Sequence, residues 1–311
     1  MVIVHERRPF EQMPYAELPE QPRLAHPFFE LADERVRVDS VCFGAIELSV
    51  RRAGSGPPLL CVHGLMTSSY SFRYLFDRLA DRFEVIVFDL PGAGRSEAPD
   101  VPYGPEALAA LIGELMDTLE ITGCPVLGNS MGGYLSMWLA LQRPDCMSKL
   151  VNLHSPGLVT PRMRALGAAL SLPGSGLVLD GLVRIDPERW AFKNVHYFDE
   201  SLKSREEARE YAGPLRTAEG RRAFRRYLRD TLAVGPMRAF ERRLAALDGR
   251  FVVPLLLVYA RRDPMVPPAI GERFAELLGE ARFEWLEEGS HFAHVDAPDP
   301  FVQVMLPFLD A

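Results

Sequence analysis

The sequence predicts an α/β fold in which a mostly parallel sheet is covered by helices on both faces. Short continuous apolar runs such as 59–62 and 85–88 recur along the chain, and such runs are typical of strands buried on both faces. Helical segments separate most of these runs, and that alternation is the pattern of a parallel sheet with crossover helices. A glycine-rich segment at 128–133, between a strand and a helix, indicates a tight turn of the chain.

Eight strands are expected in this sheet. Residues 36–41 and 46–50 contain apolar residues that alternate with polar ones, so they predict an antiparallel start. The glycine- and proline-containing segment 53–57 then forms a turn. The other six predicted strands are 59–62, 85–88, 126–127, 150–153, 255–259 and 282–286. The predicted core helices are 70–79, 108–119, 134–141, 270–278 and 300–309.

The strand rhythm stops between residues 157 and 246. This stretch has no buried-strand run, and its pattern is typical of helices separated by glycine and proline. The predicted helices are 162–172, 177–185, 205–215, 221–232 and 237–247. We therefore expect a helical cap insertion at 157–246 after the sixth strand, with a core formed by 35–156 and 247–311.

The first 34 residues carry prolines at near-regular spacing, at positions 9, 14, 19, 22 and 27. Proline has no backbone N–H and a fixed φ, so this pattern disfavours helices and central strands. Residues 1–34 are therefore predicted to be an arm that is extended on the surface or partly disordered.

Composition and charge exclude several classes of protein. With 48% hydrophobic and 25% charged residues, the chain is an ordinary globular protein. The net charge of −7 argues against a nucleic-acid-binding surface. No stretch of about 18 apolar residues is present, so no membrane span is expected, and the first residues lack the apolar region of a signal peptide. The protein is therefore expected to be cytoplasmic.

Cysteine usage agrees with that expectation. None of the four cysteines forms a C-x-x-C pair, and Cys61 and Cys124 lie in or beside predicted core strands. We therefore interpret these two residues as buried free thiols, which suit a reducing compartment. No H-E-x-x-H, clustered histidine and cysteine set, or G-x-G-x-x-G is present either, so neither a metal nor an organic cofactor is expected.

The segment 128–132 carries the main functional signal. Gly-Asn-Ser-Met-Gly matches G-x-S-x-G, with an apolar strand before it and a helical run after it, which is the context of a nucleophile elbow. A serine on such a sharp turn has a strained backbone and stands above the sheet edge. It also lies at a helix N-terminus, where backbone N–H groups stabilise developing negative charge. Ser130 is therefore predicted to be the catalytic nucleophile.

A serine nucleophile needs a base, and the base needs a group that orients it. His291 lies in a turn directly after the last strand, at the carboxyl edge of the sheet where Ser130 also emerges. We predict His291 as the base, with His294 as its competitor. Asp263 follows the strand 255–259, and the chain order Ser, Asp, His is the one found in hydrolases with a nucleophile elbow.

Three other aspartates compete for the role of the acid. Asp248 precedes its strand, and Asp296 and Asp299 are expected to cap the last helix. Asp263 is therefore the predicted acid.

The oxyanion site is expected to combine two backbone N–H groups. One belongs to Leu65, which follows His63 and Gly64 after the third strand, and the other belongs to Met131, the residue after the nucleophile. The segment 89–96 forms a second tight loop at a strand end, and Asp89 is interpreted there as a structural hydrogen-bonding residue.

The ordered segments HGLM, DLPGAGRS, GNSMGG, RRDPMVP and GSHFAHVDAP together resemble the α/β-hydrolase superfamily, in the subgroup that carries a helical cap. The resemblance covers residues 35–311 apart from the cap, whose sequence is not diagnostic. It implies the α/β-hydrolase fold, with an eight-stranded, mostly parallel sheet. As a set, these motifs specify the fold but not the substrate.

Departures from individual branches of the superfamily narrow the activity. Serine at 130, where haloalkane dehalogenases and epoxide hydrolases carry aspartate, argues against those two activities, and HGLM is not the HGGG of one lipase branch. The elbow is similar to that of hydrolases that cleave C–C bonds in meta-cleavage products. Those enzymes usually have tryptophan after the catalytic histidine, and Phe292 stands here. Their oxyanion loop is also richer in glycine, so ester hydrolysis is favoured and C–C cleavage stays open.

Three functions follow from these residues. The first is a serine esterase that cleaves carboxylic esters of small to medium apolar acyl or aromatic substrates through an acyl-enzyme on Ser130. The second is a hydrolase of the same fold that cleaves another acyl bond, in a C–C, thioester or amide substrate. The third is a non-catalytic ligand-binding protein, against which the intact set Ser130, Asp263 and His291 argues.

Two features of the predicted cap have open interpretations. Its apolar residues between 166 and 183 form either the core of the cap or an apolar wall over Ser130 that excludes water. The basic run 221–229 is interpreted as a solvated helix face beside acidic neighbours, with recognition of a substrate carboxylate as the alternative.

Overall fold

The computed structural model describes residues 8–311, and the first seven residues of the predicted arm lie outside that part. The strands of the described chain are β1 (Glu34–Ser40), β2 (Gly44–Ala53), β3 (Pro58–Val62), β4 (Glu84–Phe88), β5 (Cys124–Asn129), β6 (Met147–Leu153), β7 (Leu255–Ala260) and β8 (Arg282–Leu286). They form one sheet in the order β1-β2-β4-β3-β5-β6-β7-β8. β1 pairs with β2, and β2 with β4, in antiparallel fashion, and the other neighbours are parallel. The predicted fold, including its antiparallel start, is confirmed.

Helices connect and flank these strands. They are α1 (Phe76–Leu79), α2 (Pro105–Thr118), α3 (Met131–Gln142), α4 (Pro161–Leu170), α5 (Ser175–Ile185), α6 (Pro187–Asn194), α7 (Arg205–Ala212), α8 (Ala218–Arg226), α9 (Val234–Ala245), α10 (Pro268–Leu277), α11 (Ala293–Asp296) and α12 (Pro298–Asp310). A π-helical turn (Tyr227–Thr231) follows α8 directly.

The sheet separates two apolar clusters, because alternate residues of a strand point to opposite faces. Leu60 and Val62 of β3 face the cluster that contains side chains of α2, α3 and α10. Leu59 and Cys61 face the other cluster, which contains side chains of α1 and α12. Helices therefore cover both faces, and the strands are buried on both sides. Cys61, Cys124 and Cys146 are buried free thiols, whereas Cys42 is exposed.

The expected helix at 70–79 is not continuous. The structure has a 3-10 turn at Ser69–Phe72 and only the short α1 after it. The 3-10 turn begins at Ser68, whose side chain accepts a hydrogen bond from the N–H of Tyr70. Serine side chains that bond to nearby backbone N–H groups stabilise turns and compete with helix formation. Ser68 was therefore a signal in the sequence against a long helix here.

The described part of the arm contacts both the core and the helices that follow β6. Phe28 is fully buried among residues of the second apolar cluster, and its ring lies 5.2 Å from that of Tyr70. Nearer its start, Tyr15 donates a hydrogen bond of 2.5 Å to Glu188 of α6. The arm is thus extended along the surface, and one of its side chains reaches the core.

The chain between β6 and β7 is helical from α4 to α9, as the sequence predicts. The helix α6 was not expected, although its start carries clear signals. Asp186 accepts a hydrogen bond of 2.9 Å from the N–H of Arg189, and Pro187 occupies the first helical position. An aspartate cap followed by proline is a typical helix start.

The apolar residues of α4 and α5 do not form the core of this helical segment. Most of them are exposed: Leu166, Leu172, Leu177, Val178 and Leu182. Leu179 and Val183 instead pack in a small cluster with Leu215 and Phe224. The expectation of a cap core, or of a wall over Ser130, is therefore wrong for the exposed residues and holds only for the inner face of α5.

The basic run at 221–229 is not a simple solvated face either. Arg221 is buried and, together with Arg225, binds Asp180 of α5 at 3.0 and 2.6 Å. On the other side of α8, Arg222 and Arg226 bind Asp100 in the loop after β4. These arginines therefore join α8 to α5 and to the core.

A buried ion pair also joins the core to α7. Arg73, which is fully buried, donates to Glu207 at 2.5 Å, and Tyr197 donates to the same carboxylate at 2.7 Å. The Arg73 guanidinium also lies over the ring of Tyr70 at 4.4 Å. Removing one partner of such a pair would leave an uncompensated buried charge, which is strongly destabilising.

No single helix among residues 8–311 is long and apolar enough to cross a membrane. Taken together, α4 and α5 pass that test of length and composition, but they are bent by 101° at the break between them.

The approach of α3 to β3 sets the position of the elbow. A Cβ atom added at Gly132 would lie 2.0 Å from the carbonyl oxygen of Val62. Because that neighbour is backbone in a central strand, it cannot move away cheaply. We expect Gly132→Ala to lower the free energy of unfolding by about 3 kcal/mol or more, measured by chemical denaturation.

Gly181→Ala is the matched control, since Gly181 lies in α5 with no heavy atom within 4 Å of the added Cβ. It should raise the free energy of unfolding by up to about 1 kcal/mol, because alanine favours helices. Equal stability of the two variants would show that the close approach does not constrain the fold.

Candidate active site

Ser130 lies on the turn between β5 and α3, as predicted. Its φ is +54°, in the left-handed region that serine rarely adopts, and it directly precedes the first residue of α3. Its N–H donates to the carbonyl of Leu153 at 2.8 Å, which joins the turn to the end of β6. The residue is 9% exposed. This is the strained geometry of a nucleophile elbow.

Asp263 and His291 form a buried pair. His291 Nδ1 and Asp263 Oδ2 are 2.6 Å apart, and both residues are almost completely buried. The other carboxylate oxygen of Asp263 accepts hydrogen bonds from the N–H groups of Met265 and Val266, at 2.7 and 2.9 Å. The carboxylate is therefore fixed on both sides.

The pKa of Asp263 reflects two opposed effects. Burial raises it, but the imidazole of His291 and the hydrogen bond between them lower it, and the net pKa lies below the usual value for aspartate. An ionised Asp263 accepts a hydrogen bond from the Nδ1–H group of His291, so the proton stays on Nδ1 and Nε2 is the free ring nitrogen.

Asn129, the residue before the predicted nucleophile, joins the elbow to the loop that carries His291. The amide of Asn129 donates to the carbonyl of His291 at 3.0 Å. Because Asn129 and Ser130 are consecutive, this bond holds the histidine loop against the elbow. Sequence reasoning missed this role, since the middle position of G-x-S-x-G is variable.

The loop after β3 also lies against Ser130. A Cβ atom at Gly64 would lie 3.0 Å from the Cβ atom of Ser130. The carbonyl of Gly64 is held by His63 Nδ1 at 2.8 Å and by the hydroxyl of Thr67 at 3.0 Å. In a planar trans peptide the carbonyl and the next N–H point in opposite directions, so these bonds also fix the direction of the Leu65 N–H.

His63 therefore has a structural task that the sequence did not reveal. Its Nε2 accepts a hydrogen bond of 2.9 Å from the N–H of Leu90, so Nδ1 carries the proton that binds Gly64. Burial lowers the pKa of His63 and keeps the ring neutral. The second predicted N–H belongs to Met131, the first residue of α3, which has no carbonyl partner within its own helix.

His154 is a further histidine of the site. It follows β6, its Nε2 accepts from the N–H of Ala260 at 2.6 Å, and its ring centroid lies 5.6 Å from that of His291. Burial lowers the pKa of His154 to about 3, so the ring is neutral and adds no positive charge beside His291.

His154, Asp263 and His291 offer ligand atoms within 4.8 Å of one another, close enough for a single metal ion. Hydrogen bonds already occupy some of these atoms, however. Nε2 of His154 accepts from the N–H of Ala260, and Nδ1 of His291 is bonded to Asp263. Nδ1 of His154 is buried and has no hydrogen-bond partner among residues 8–311. We therefore assign Asp263 and His291 to a hydrogen-bonded pair.

The competing residues occupy other environments. His294 is buried with its ring centroid 4.9 Å from that of Phe72, and burial lowers its pKa well below the usual value. The expectation that Asp296 and Asp299 cap the last helix is wrong. Asp299 binds Arg78 at 2.5 Å, and α12 has no side-chain cap.

Asp296 instead bridges the histidine loop and the helical segment. Its carboxylate accepts from the N–H of Ser290 at 3.2 Å and from the N–H of Phe198 at 2.7 Å. Burial raises the pKa of Asp296 to about 6.

The structural interpretation of Asp89 is confirmed. One of its carboxylate oxygens accepts from the N–H of Ser69 at 2.8 Å, and the other accepts from the N–H of Arg95 at 2.8 Å. Asp89 thus organises two loops at the carboxyl edge of the sheet.

A cavity of about 30 Å³ opens beside the predicted oxyanion site, with room for one or two water molecules. Leu65 and Met131 line it on the core side, and Leu215, Phe224 and Tyr227 line it on the side of the helical segment. The space next to the elbow is therefore apolar and narrow.

The family model of the alpha/beta hydrolase fold matches residues 57–298. The chain belongs to this family. A match of that length covers the elbow, the histidine loop and the helical segment between them.

Individual relatives of this α/β-hydrolase are similar to it over most of its length. The chain is 27% identical over 252 residues to the uncharacterized hydrolase YugF of Bacillus subtilis, covering 81% of this chain and 89% of YugF. It is 28% identical over 275 residues to a pimeloyl-[acyl-carrier protein] methyl ester esterase of Aeromonas hydrophila, covering 85% of this chain and all of the esterase. The structure of Cfl2 from Burkholderia cenocepacia superposes with a TM-score of 0.76 at 22% identity, covering 96% of this chain and all of Cfl2.

The raised pKa of Asp296 predicts how stability depends on pH. The native state keeps a proton on Asp296 up to about pH 6, whereas the unfolded chain releases it near pH 4. This carboxyl therefore makes stability fall as pH rises from about 4 to 6, by roughly 3 kcal/mol. We expect Asp296→Asn to flatten this part of the unfolding free energy curve, measured by denaturation at graded pH.

Asp299→Asn serves as the control, because the Asp299 side chain is 69% exposed. Its curve should keep the slope of the wild type between pH 4 and 6. An unchanged slope in the Asp296 variant would contradict the assigned pKa.

Proposed function

We propose that this α/β-hydrolase is a serine esterase that cleaves carboxylic esters with a small to medium apolar acyl or aromatic group. The observation that carries the proposal is the 2.6 Å contact between His291 and Asp263, held by Asn129 against an elbow whose serine has a φ of +54°. A nucleophile, a base and a group that orients the base are the three components of this chemistry.

In the first half of the reaction, Ser130 Oγ attacks the ester carbonyl carbon while Nε2 of His291 takes the hydroxyl proton. Asp263 stabilises the imidazolium that forms and holds its orientation. The negative oxygen of the tetrahedral intermediate accepts hydrogen bonds from the N–H groups of Leu65 and Met131. The intermediate collapses, His291 gives its proton to the leaving alcohol, and an acyl-enzyme on Ser130 remains.

Water completes the cycle. His291 removes a proton from the water as it attacks the acyl carbon, and a second tetrahedral intermediate forms at the same oxyanion site. Its collapse returns the proton to Ser130 and releases the carboxylic acid. The low pKa of His154 matters in both halves, because a neutral neighbour does not oppose the positive charge on His291.

The apolar lining of the small cavity supports an apolar substrate. Leu65 and Met131 face Leu215 and Phe224 across it, so an acyl chain or ring placed beside the oxyanion site contacts carbon on both sides. Since the cavity holds only one or two waters, an acyl group enters by displacing α8 and the 3-10 turn Pro214–Arg216. The similarity to a methyl ester esterase supports an ester substrate.

Ser130→Ala should lower the rate of ester hydrolysis by on the order of 10⁶-fold, since it removes the nucleophile. The measurement uses p-nitrophenyl esters of graded chain length, together with a thioester and a meta-cleavage dienone. The wild type should prefer the esters, and a fluorophosphonate should modify it at Ser130 as identified by mass spectrometry. Ser171→Ala, at an exposed serine of the helical segment, is the control and should keep wild-type activity.

Each outcome of that panel has a meaning. If the Ser130→Ala variant kept a few per cent of the activity, Ser130 would not be the nucleophile. Turnover of the dienone or thioester in preference to every ester would replace the proposed substrate class while leaving the triad in place.

Asp263→Asn should reduce kcat by about 10⁴-fold, because an amide allows the wrong tautomer of His291. Asp296→Asn should reduce it far less, although Asp296 also bonds to the histidine loop. Comparison of kcat for the two variants decides between the two aspartates. A greater loss in the Asp296 variant would show that the acid has been misassigned.

A further inference from the structure

An exposed apolar surface lies on the outside of α4 and α5. We call it the apolar ridge and define it as Leu166, Leu172, Leu177, Val178, Leu182 and Ile185. Their exposure ranges from 42% at Leu166 to 82% at Ile185. Residues 8–311 contain ten exposed large apolar side chains, and six of these ten lie within one stretch of 20 residues. Scattered exposed leucines are ordinary, but a contiguous set marks an interaction surface.

The helix α5 carries two apolar stripes. Val178, Leu182 and Ile185 follow the spacing of one helical stripe and face outward. Leu179 and Val183 form the inner stripe and pack with Leu65 and Met66 of the loop beside Ser130. A helix of a globular protein normally buries its apolar stripe and exposes a polar face, so the outer stripe of α5 is an apolar surface with no covering surface within the described chain.

The charges around the ridge are positive. Arg162, Arg164 and Arg184 are exposed, and no carboxylate among residues 8–311 forms an ion pair with them. The one acidic residue of α4 and α5, Asp180, is already neutralised by Arg221 and Arg225. The ridge therefore has a local excess of positive charge in a protein whose net charge is −7. Charges farther away than about 10 Å are largely screened at physiological salt, so the local charge dominates.

A groove beside the ridge is also positively charged. It has a volume of about 700 Å³ and lies between the α4–α5 turn and the π-helical turn. Leu170, Leu172 and Leu228 line it, together with Arg164 and Arg229. The accessible lining of the groove is more polar than apolar, and its two arginines add positive charge beside the ridge.

We propose that the apolar ridge docks the protein on an anionic lipid surface. Leucine and valine side chains enter the boundary between headgroups and acyl chains, while Arg162, Arg164 and Arg184 contact anionic headgroups. This combination of apolar area and positive charge is the one that holds amphipathic helices at such interfaces. The lipid surface then covers the outer face of α5, whose inner face packs against the loop beside Ser130.

Charge argues against a second copy of this chain as the occupant. Two ridges packed face to face by a two-fold axis would bring three unpaired arginines of each copy into one interface. Like charges at a desolvated interface are unfavourable. An anionic lipid surface supplies the opposite charge instead.

The experiment is co-sedimentation of the full chain with vesicles. One preparation is pure phosphatidylcholine, and the other contains phosphatidylglycerol as well. The wild type should bind the anionic vesicles in preference, and raised salt should weaken that binding. Arg162→Gln, Arg164→Gln and Arg184→Gln should each weaken it by about fivefold, whereas Arg37→Gln, on β1, should not.

The double variant Leu177→Ser/Leu182→Ser tests the apolar contribution and should lower the partition coefficient by about tenfold or more. Val41→Ser is the matched control, because Val41 is 92% exposed but lies in the turn after β1. Thermal midpoints near that of the wild type, and unchanged hydrolysis of a short water-soluble ester, show that the double variant is folded.

Docking does not depend on turnover, so its test is separate from that of the proposed esterase activity. Ser130→Ala should bind anionic vesicles as the wild type does. Equal binding to both vesicle types, no binding to either, or retained binding in the double variant would overturn the proposal. So would a dimer of the wild type that the double variant converts to a monomer, since the ridge would then bind a second copy.

Discussion

The contact between the start of α3 and the backbone of β3 is the constraint on which the site depends. Gly132 touches the Val62 carbonyl so closely that even a methyl group would not fit. This approach forces the turn before α3 to be sharp, and the sharp turn gives Ser130 its left-handed backbone. The same contact places the free N–H of Met131 beside the serine. The positions of the proposed nucleophile and of the proposed oxyanion site thus both depend on one packing distance.

Around this turn, hydrogen bonds from residues outside the predicted triad fix the positions of the neighbouring loops. His63 and Thr67 hold the Gly64 carbonyl, and through it the direction of the Leu65 N–H. Asn129 holds the histidine loop against the elbow. None of these side chains needs to touch a reacting atom. Their common property is that each is buried and bonded to backbone, so the elements that meet at the sheet edge keep a fixed relation to one another.

Sequence patterns were sufficient for the sheet, because buried strands require continuous apolar runs and the elbow requires glycine. They also placed Asp263 and His291 at strand ends, which the structure brings within 2.6 Å. They failed where the outcome depends on distant partners. Asp296 resembles a helix cap in sequence, but its oxygens accept from Phe198 and Ser290. Likewise, hydrophobicity alone could not show that Leu177 and Leu182 face outward, because Leu179 and Val183 on the inner stripe of α5 are just as apolar.

The buried pair of Arg73 and Glu207 limits how the helical segment can move. Separating these charges in a dry interior is costly, so α7 is anchored to the core at that point. On the opposite side, Arg222 and Arg226 bind Asp100 where water competes for the same groups, and such contacts exchange readily. The π-helical turn after α8 is nevertheless held to the core, because Tyr227 donates a buried hydrogen bond of 2.7 Å to the carbonyl of Pro91. Motion that widens the cavity is therefore expected to be small at α7 and at this turn, and larger along α5.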